Sequence, residues 1–409
     1  MESKSLQRAK DKMKIKDLKL KALLDVTNAI NNNSTKEELF DIYEDVLRNN
    51  LNIGKLALYN YDLSWKFPIH YEVDIEQLEK EDKSVLFDLD EITEFSLKTE
   101  GVFNQFDIVV PVYHKTKALA FVLIGDLFDE NAVISPIIKH LPFIQTLTNI
   151  IAVAIENKSM ANEILAKERM KKELEFASQM QNMLLPSSLP TNQNMDIDAF
   201  YRAHQEVGGD YYDFIQINSE ESLFCIADVS GKGISAALLM SNFQANLRAL
   251  ANQNLSLSEL VNILNQKVLD SANGEKFITF FVAKYNIHDR VIRYVNAGHN
   301  PPVLFSDFTV TLLKTGCPGL GMLDYIPSIK EGIINISDNS VICCYTDGLV
   351  ETENNSYEEY GTDRLASILE RKQNLSMKEL NEAIVLDLAE FKEDKDYFDD
   401  LAILSARFR

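Results

Sequence analysis

The chain has 409 residues, 46% of them apolar, and carries 62 acidic against 41 basic side chains, a formal charge of -21. That is more length than one hydrophobic core usually serves, so two domains and a connector are expected. So negative a balance argues against nucleic acid as substrate, because phosphate backbones are gripped by basic surfaces.

In chain order, a basic N-terminal segment, residues 1–14, comes first. Over the first 21 positions Lys4, Arg8, Lys10, Lys12, Lys14, Lys16, Lys19 and Lys21 stand against three acids. Such a stretch either grazes an anionic membrane or forms a solvated helix face, and the second is the commoner case. Apolar residues Ile15, Leu18, Leu23, Val26 and Ile30 then recur at helical spacing until the polar run Asn31 to Asn33. Ser34 with Glu37 has the form of a capping box and predicts a second helix, to about Asn49. The runs KLALYNY and FPIHYEV read as strands, and FDIVVPVY and ALAFVLIGD, separated by HKTK, as a hairpin. Two helices, several strands and a closing long helix, with VVPVY…ALAFVLIGDL as the closing hairpin, resemble a GAF domain over residues 15–135. The resemblance implies an α/β sensor or dimerising module that receives a small-molecule or protein signal; no ligand can be named from these residues.

From about Asn131 to Leu185 the pattern is almost continuously helical, broken near its start by Pro136 and Pro142, and residues 136–185 read as a helical linker. Met170, Leu174, Ala177, Gln181 and Leu184 alternate fours and threes as a coiled-coil seam does, which predicts either a homodimer or a helix packed on its own domain. Pro186 and Pro190 end the helix and open a third region, residues 186–409. There, MDIDAFYRA, YYDFIQI, SLFCIADV, FITFFVAKYN, VIRYVNAG, VICCYTDG and LAILSARF read as strands, and ISAALLMSNFQANLRALANQ and SLSELVNILNQKVLDSA as helices. Strand runs with helices grouped between them predict an α/β sandwich on antiparallel sheets, so the chain as a whole is of α+β class. Cys225, Cys317, Cys343 and Cys344 lack metal-ligand spacing and read as reduced core thiols. With no leader pattern and no apolar run near the 18 to 20 residues of a membrane span, a cytoplasmic protein without a transmembrane segment is expected.

The chemistry sits in five segments, four of which bear carboxylates: GGDYYD (208–213), DVSGKG (228–233), NAGHNPP (296–302), YTDGLVE (345–351) and DYFDDLAIL (396–404). Four of them place an Asp where a strand meets a turn, which suits a hard, oxygen-rich site for Mg²⁺ or Mn²⁺. Gly208 and Gly209 permit a tight approach that presents Asp210, with Asp213 on the opposite phase. The strand SLFCIADV delivers Asp228, and the Val229 carbonyl can face the same cation. VICCY delivers Asp347 before Gly348, and Asp399 and Asp400 precede the last strand. Each Asp before a Gly, taken singly, is an ordinary turn residue.

In order and wording, QMQNMLLPSSLP, VGGDYYDF, ADVSGKGISAALLM, YVNAGHNPPVL, YTDGLVE and DDLAIL resemble the catalytic domain of the SpoIIE/RsbU-like serine/threonine phosphatases of the PPM (type 2C) superfamily. That resemblance covers residues 186–409 and implies an α-β-β-α sandwich in which Asp210, Asp228, Asp347 and Asp399 hold two Mn²⁺ or Mg²⁺ ions, helped by the Val229 carbonyl. Gly209, Asp213, His299, Gly348 and Asp400 would support those ligands, although the roles of Asp399 and Asp400 could be exchanged. Ile234-Ser235 departs from the Pro that the family often has there. Two such cations activate a bridging water and clamp phosphate, so a phosphoserine or phosphothreonine ester can be hydrolysed without a covalent intermediate. Lys232 is a candidate contact for the substrate phosphate, with a solvated turn lysine as the plainer description. His299 is a candidate general acid, with a turn-fixing role the commoner one. In the family, substrates include anti-sigma-factor antagonists of STAS fold. Two rivals are weighed against this reading. GGDYYD echoes the GGDEF turn of nucleotide cyclases, but Tyr211 stands where an acid belongs; a catalytically inactive GAF-linked scaffold would have lost ligands that are here present.

Overall fold

The structure, a computed structural model, describes residues 2–62, 64–94, 101–125 and 136–409. It divides into two compact units, residues 1–168 and 169–409. In the first, α1 (Glu2–Asn31) already begins in the basic segment, since nothing there breaks a helix. Next, α2 (Lys36–Asp45) runs into a π turn at Val46–Asn50. Its capping box is Thr35 with Glu38, one residue beyond the expected Ser34 and Glu37. The backbone N–H of Ser34 is already spent on the Ala29 carbonyl, so Ser34 closes α1 while Thr35 opens α2.

Strands β1 (Lys55–Asp62) and β2 (Ser64–Tyr71) precede the short helices α3 (Ile75–Lys80) and α4 (Ser84–Phe87). They are followed by β3 (Thr93–Glu94), β4 (Ile108–His114) and β5 (Lys117–Gly125), giving an antiparallel sheet of order β2-β1-β5-β4-β3. The expected hairpin is β4–β5, turning at Lys115 (φ 55°). The end of the expected sensor region, residues 126–135, lies outside the described residues, and the expected linker opens with a 3₁₀ turn at Pro136–His140. A long helix, α5 (Leu141–Asn182), continues from the first unit into the second. Residues 138–182 are long and apolar enough, by length and composition, to cross a membrane, contrary to expectation. Their apolar character is explained by packing: Leu141, Ile144, Leu147, Ile151 and Ile155 are buried against Val26, Tyr43, Leu56 and Val122.

The second unit opens with β6 (Met195–Arg202), β7 (Tyr211–Gln216), β8 (Glu221–Val229), α6 (Ile234–Ala251) and α7 (Leu257–Ala272). Then come β9 (Ile278–Asn286), β10 (Val291–Ala297), β11 (Val303–Ser306), β12 (Thr309–Leu312), β13 (Gly316–Cys317), β14 (Gly332–Asn335) and β15 (Ser340–Tyr345). The chain closes with α8 (Asp347–Val350), α9 (Thr362–Arg371), α10 (Met377–Lys392) and β16 (Leu401–Phe408). One sheet has the order β13-β10-β9-β8-β7, with β14 also on β10; the other has β12-β11-β15-β16-β6. Strand alternation sorts the side chains into layers. Phe280 meets Phe243 of α6, whereas Phe224 meets Phe408 of the other sheet. Likewise Cys344 lies in the core between the sheets, and its neighbour Cys343 packs outward with Leu365, Ile368, Leu380 and Ile384 of α9 and α10. The result is the expected α-β-β-α sandwich, in which all four cysteines are free thiols.

Candidate active site

Four aspartates come together at one end of this sandwich because each of the two packed sheets brings a pair of them to that end. Antiparallel pairing of Tyr211 with Ala227 sets Asp210, just before β7, beside Asp228 near the end of β8. Pairing of Tyr345 with Ile403 does the same for Asp347, at the start of α8, and Asp399, just before β16. The carboxylates repel one another. Burial, then the charges of Asp347 and Asp399, push Asp228 up to about 7. Burial followed by Asp228 and Asp400 holds Asp210 well above the usual carboxylate range, and burial with Asp399 raises Asp347.

Asp210 is 1% exposed, and neither carboxylate oxygen has a hydrogen-bond partner of ordinary geometry, the nearby Thr346 side chain offsetting its burial only in part. A buried carboxylate left in that state is strongly disfavoured unless a cation or a proton compensates it. The Val229 carbonyl lies next to Gly209, adjoining Asp210, so a further hard oxygen is at hand. The donor set is all oxygen, which fits Mg²⁺ or Mn²⁺ and not zinc. As the side chains stand, no three His, Cys, Asp or Glu among the described residues converge tightly enough to grip an ion.

Asp400 faces a different way from Asp399. Its two oxygens accept from the backbone N–H groups of His204 (2.7 Å) and Gly209 (2.6 Å), fixing the GGD segment from behind. Asp399 instead keeps one oxygen toward the cluster, where Lys232 Nζ sits 2.9 Å away. Backbone approach is so close that side chains are excluded: a Cβ on Gly208 would collide with the Tyr201 hydroxyl and the Asp400 carboxylate, and one on Gly348 with the Asp400 carbonyl.

Of two further expected supports, Asp213 turns away, whereas His299 is held on Thr279, the cross-strand partner of Asp228. Asp213, fully buried, turns away from the cluster to a paired contact with Arg248 of α6 (2.7 and 2.9 Å) and accepts from the Tyr211 hydroxyl. Its separation of three from Asp210 along a strand puts the two on opposite faces. His299 is buried, its Nδ1 2.8 Å from the Thr279 hydroxyl and its backbone N–H on Asn296 Oδ1. Burial lowers it to about 4, so it is neutral at neutral pH and holds no proton to give as an acid.

Gln181, one of the positions at coiled-coil spacing, packs inside its own domain. Assigned to a coiled-coil seam, it is 7% exposed and clamps Gly208: its Nε2 donates to the Gly208 carbonyl (2.6 Å) and its Oε1 accepts from the Gly208 N–H (3.2 Å). The seam therefore loses this position to the domain's own interior. Glutamine at an apolar seam position was the one available signal, since a buried amide needs partners.

A family model described as Stage II sporulation protein E (SpoIIE) matches residues 218–409. The phosphoserine phosphatase RsbU of Bacillus subtilis is 29% identical over 246 residues, 59% of this chain and 71% of that protein. The phosphoserine phosphatase RsbP of the same organism is 28% identical over 236 residues, 56% of each chain. Among solved structures, the SiaA PP2C domain of Pseudomonas aeruginosa superposes with a TM-score of 0.54 at 20% identity, covering 60% of this chain and 99% of that one, which shows a shared fold. GGDYYD thus sits in a sandwich whose fold is shared with a PP2C domain.

Proposed function

The C-terminal half of this chain belongs to the SpoIIE family of PP2C-type serine/threonine phosphatases, and on that premise we propose that it dephosphorylates serine or threonine on a partner protein in a metal-dependent reaction. The observation that carries the metal is Asp210, buried at the centre of a carboxylate cluster with neither oxygen in a hydrogen bond of ordinary geometry. Asp210, Asp228, Asp347 and Asp399, with the Val229 carbonyl, would hold two Mn²⁺ or Mg²⁺ ions. Such ions supply an acidified water near neutral pH and neutralise charge on phosphate oxygens.

The chain's own residues do the positioning. Asp400 and Gln181 hold Gly208 and Gly209 between them, so Asp210 is presented without freedom to retreat. Lys232, on an exposed turn beside Asp399, would meet the phosphate dianion of the substrate. The N-terminal unit, GAF-like in its strand and helix order, would act as the regulatory part through α5, with a small-molecule or protein signal and a homodimer formed along the exposed stretch of that helix. A cytoplasmic location and a STAS-fold phosphoprotein substrate complete the proposal.

The test is phosphate release from a phosphoserine protein with Mn²⁺ or with chelator, for the wild type and for Asp228→Asn and Asp347→Asn. Turnover should need the metal and be lost in both variants. Full activity in chelator, or in both variants at saturating metal, would refute the reading.

A further inference from the structure

Among the described residues, Asp399 is the one aspartate of the cluster with a cation in an ion pair beside it, and that cation comes from the chain itself. Lys232 Nζ stands 2.9 Å from Asp399 Oδ2, donates to the Phe398 carbonyl and lies 5.6 Å above the Phe398 ring. Its charge also reaches Asp347, where it opposes the effect of the neighbouring carboxylates. The loop that carries it bends at Gly231 (φ 84°) and Gly233 (φ 76°), so the lysine rides on a segment with little side-chain bulk on either side. The second lysine at this loop, Lys276, is fixed differently, on the Ser230 carbonyl at 2.8 Å, and takes no part in the cluster.

We propose that Lys232 is a built-in counter-cation of the metal-free site, which occupies Asp399 and must be displaced before that carboxylate can serve a divalent ion. The inference rests on the metal reading of the cluster given above. One ammonium can neutralise only one of several mutually repelling carboxylates, and the contact leaves Asp210 without a hydrogen bond of ordinary geometry. A dication outcompetes it because it offers twice the charge to several oxygens at once. The pair is weak enough to exchange: the two side chains are 38% and 27% exposed, and ion pairs of that exposure contribute little to stability. Lysine is suited to the task, being a compact point charge on a flexible stem that binds Asp399 without forming the two-toothed grip of an arginine. Once displaced, it stays at the mouth of the site, where a phosphate dianion arrives.

The experiment compares the full chain with Lys232→Met and Lys232→Arg, measuring Mn²⁺ uptake by titration calorimetry and the melting temperature with and without Mn²⁺. Lys232→Met should bind Mn²⁺ about 1.5- to 5-fold more tightly, the range an exposed ion pair allows. It should also melt lower than the wild type without metal and show the larger rise when Mn²⁺ is added, since binding to the folded state raises stability. Lys232→Arg, which keeps the charge, should bind no more tightly than the wild type. Equal or weaker Mn²⁺ binding by Lys232→Met, in a wild type that does bind, overturns this inference and leaves the phosphatase reading standing. A wild type that takes up no Mn²⁺ by either measurement overturns the metal reading and this inference together.

Discussion

Replacing Gln181 by Leu tests whether the end of α5 sets the catalytic geometry. The substitution keeps comparable volume and apolar packing but removes both hydrogen bonds to Gly208, leaving a buried N–H and a buried carbonyl without partners. Each such group costs about 1–3 kcal/mol, so roughly 2–6 kcal/mol is at stake if the segment stays where it is. It need not stay. Gly208 can regain water by moving, but it is followed directly by Gly209, tied to Asp400, and then by Asp210. Part of the penalty is therefore transferred from stability to the position of Asp210. The expected outcome is a moderate fall in melting temperature with a fall of about 10- to 100-fold in turnover, the equivalent of about 1.4–2.8 kcal/mol at the barrier. Gln181→Glu, which keeps the acceptor for the Gly208 N–H and loses the donor, should fall between. Initial rates of phosphate release at saturating Mn²⁺ are read beside thermal melts. A Gln181→Leu protein with wild-type rate and wild-type melt would show that the clamp positions nothing.

Three other outcomes are expected. Arg248→Met strands the buried Asp213 carboxylate and should cost roughly 2–4 kcal/mol, less than for a fully buried pair because Arg248 is 46% exposed; adding Asp213→Asn should recover part of the loss in denaturant melts. His299, lowered to about 4 from an ordinary 6.5, takes up its proton in the unfolded chain first, so its contribution is intact above pH 6.5 and is lost as pH falls toward 4. That amounts to about 3 kcal/mol, and melts of His299→Gln should show a flatter dependence over the same window, with an unchanged slope refuting the assignment. Leu174, half-buried on the stretch of α5 that enters the second unit, should when replaced by Glu lower the association state in light scattering if the helix pairs with a second copy; an unchanged mass would leave the helix a spacer.

What the sequence disclosed about the site follows a local rule. An apolar strand with an Asp at its end, followed by Gly or a turn, marks the end of a sheet, and SLFCIADV and VICCYTD obey it, while Asp399 stands at the entry to LAILSARF. That end was therefore legible, and so was the sandwich, through alternation such as that of Cys343 and Cys344. Helix α10 was legible in principle too: Ser376 and Glu379 form a capping box of the same kind as Ser256 and Glu259 before α7, though the expected helices stopped at α7. The short strands β11 to β14 offered less, since two to four residues are too few for a period to assert itself. What holds the carboxylates in place was hidden for a different reason. Gln181 grips the backbone of Gly208, Asp400 takes the N–H groups of His204 and Gly209, and Lys232 donates to the Phe398 carbonyl. A backbone partner has no side-chain identity, so it leaves no complementary residue in the sequence to be matched with the first. Asp213 makes the same point from the other side: its partner Arg248 is a side chain, but 35 residues away on a helix whose rotation only the packed structure decides. Ligands sit at positions defined by their own strands, whereas supports are defined by whatever the fold brings against them, and only the first kind can be read along one dimension.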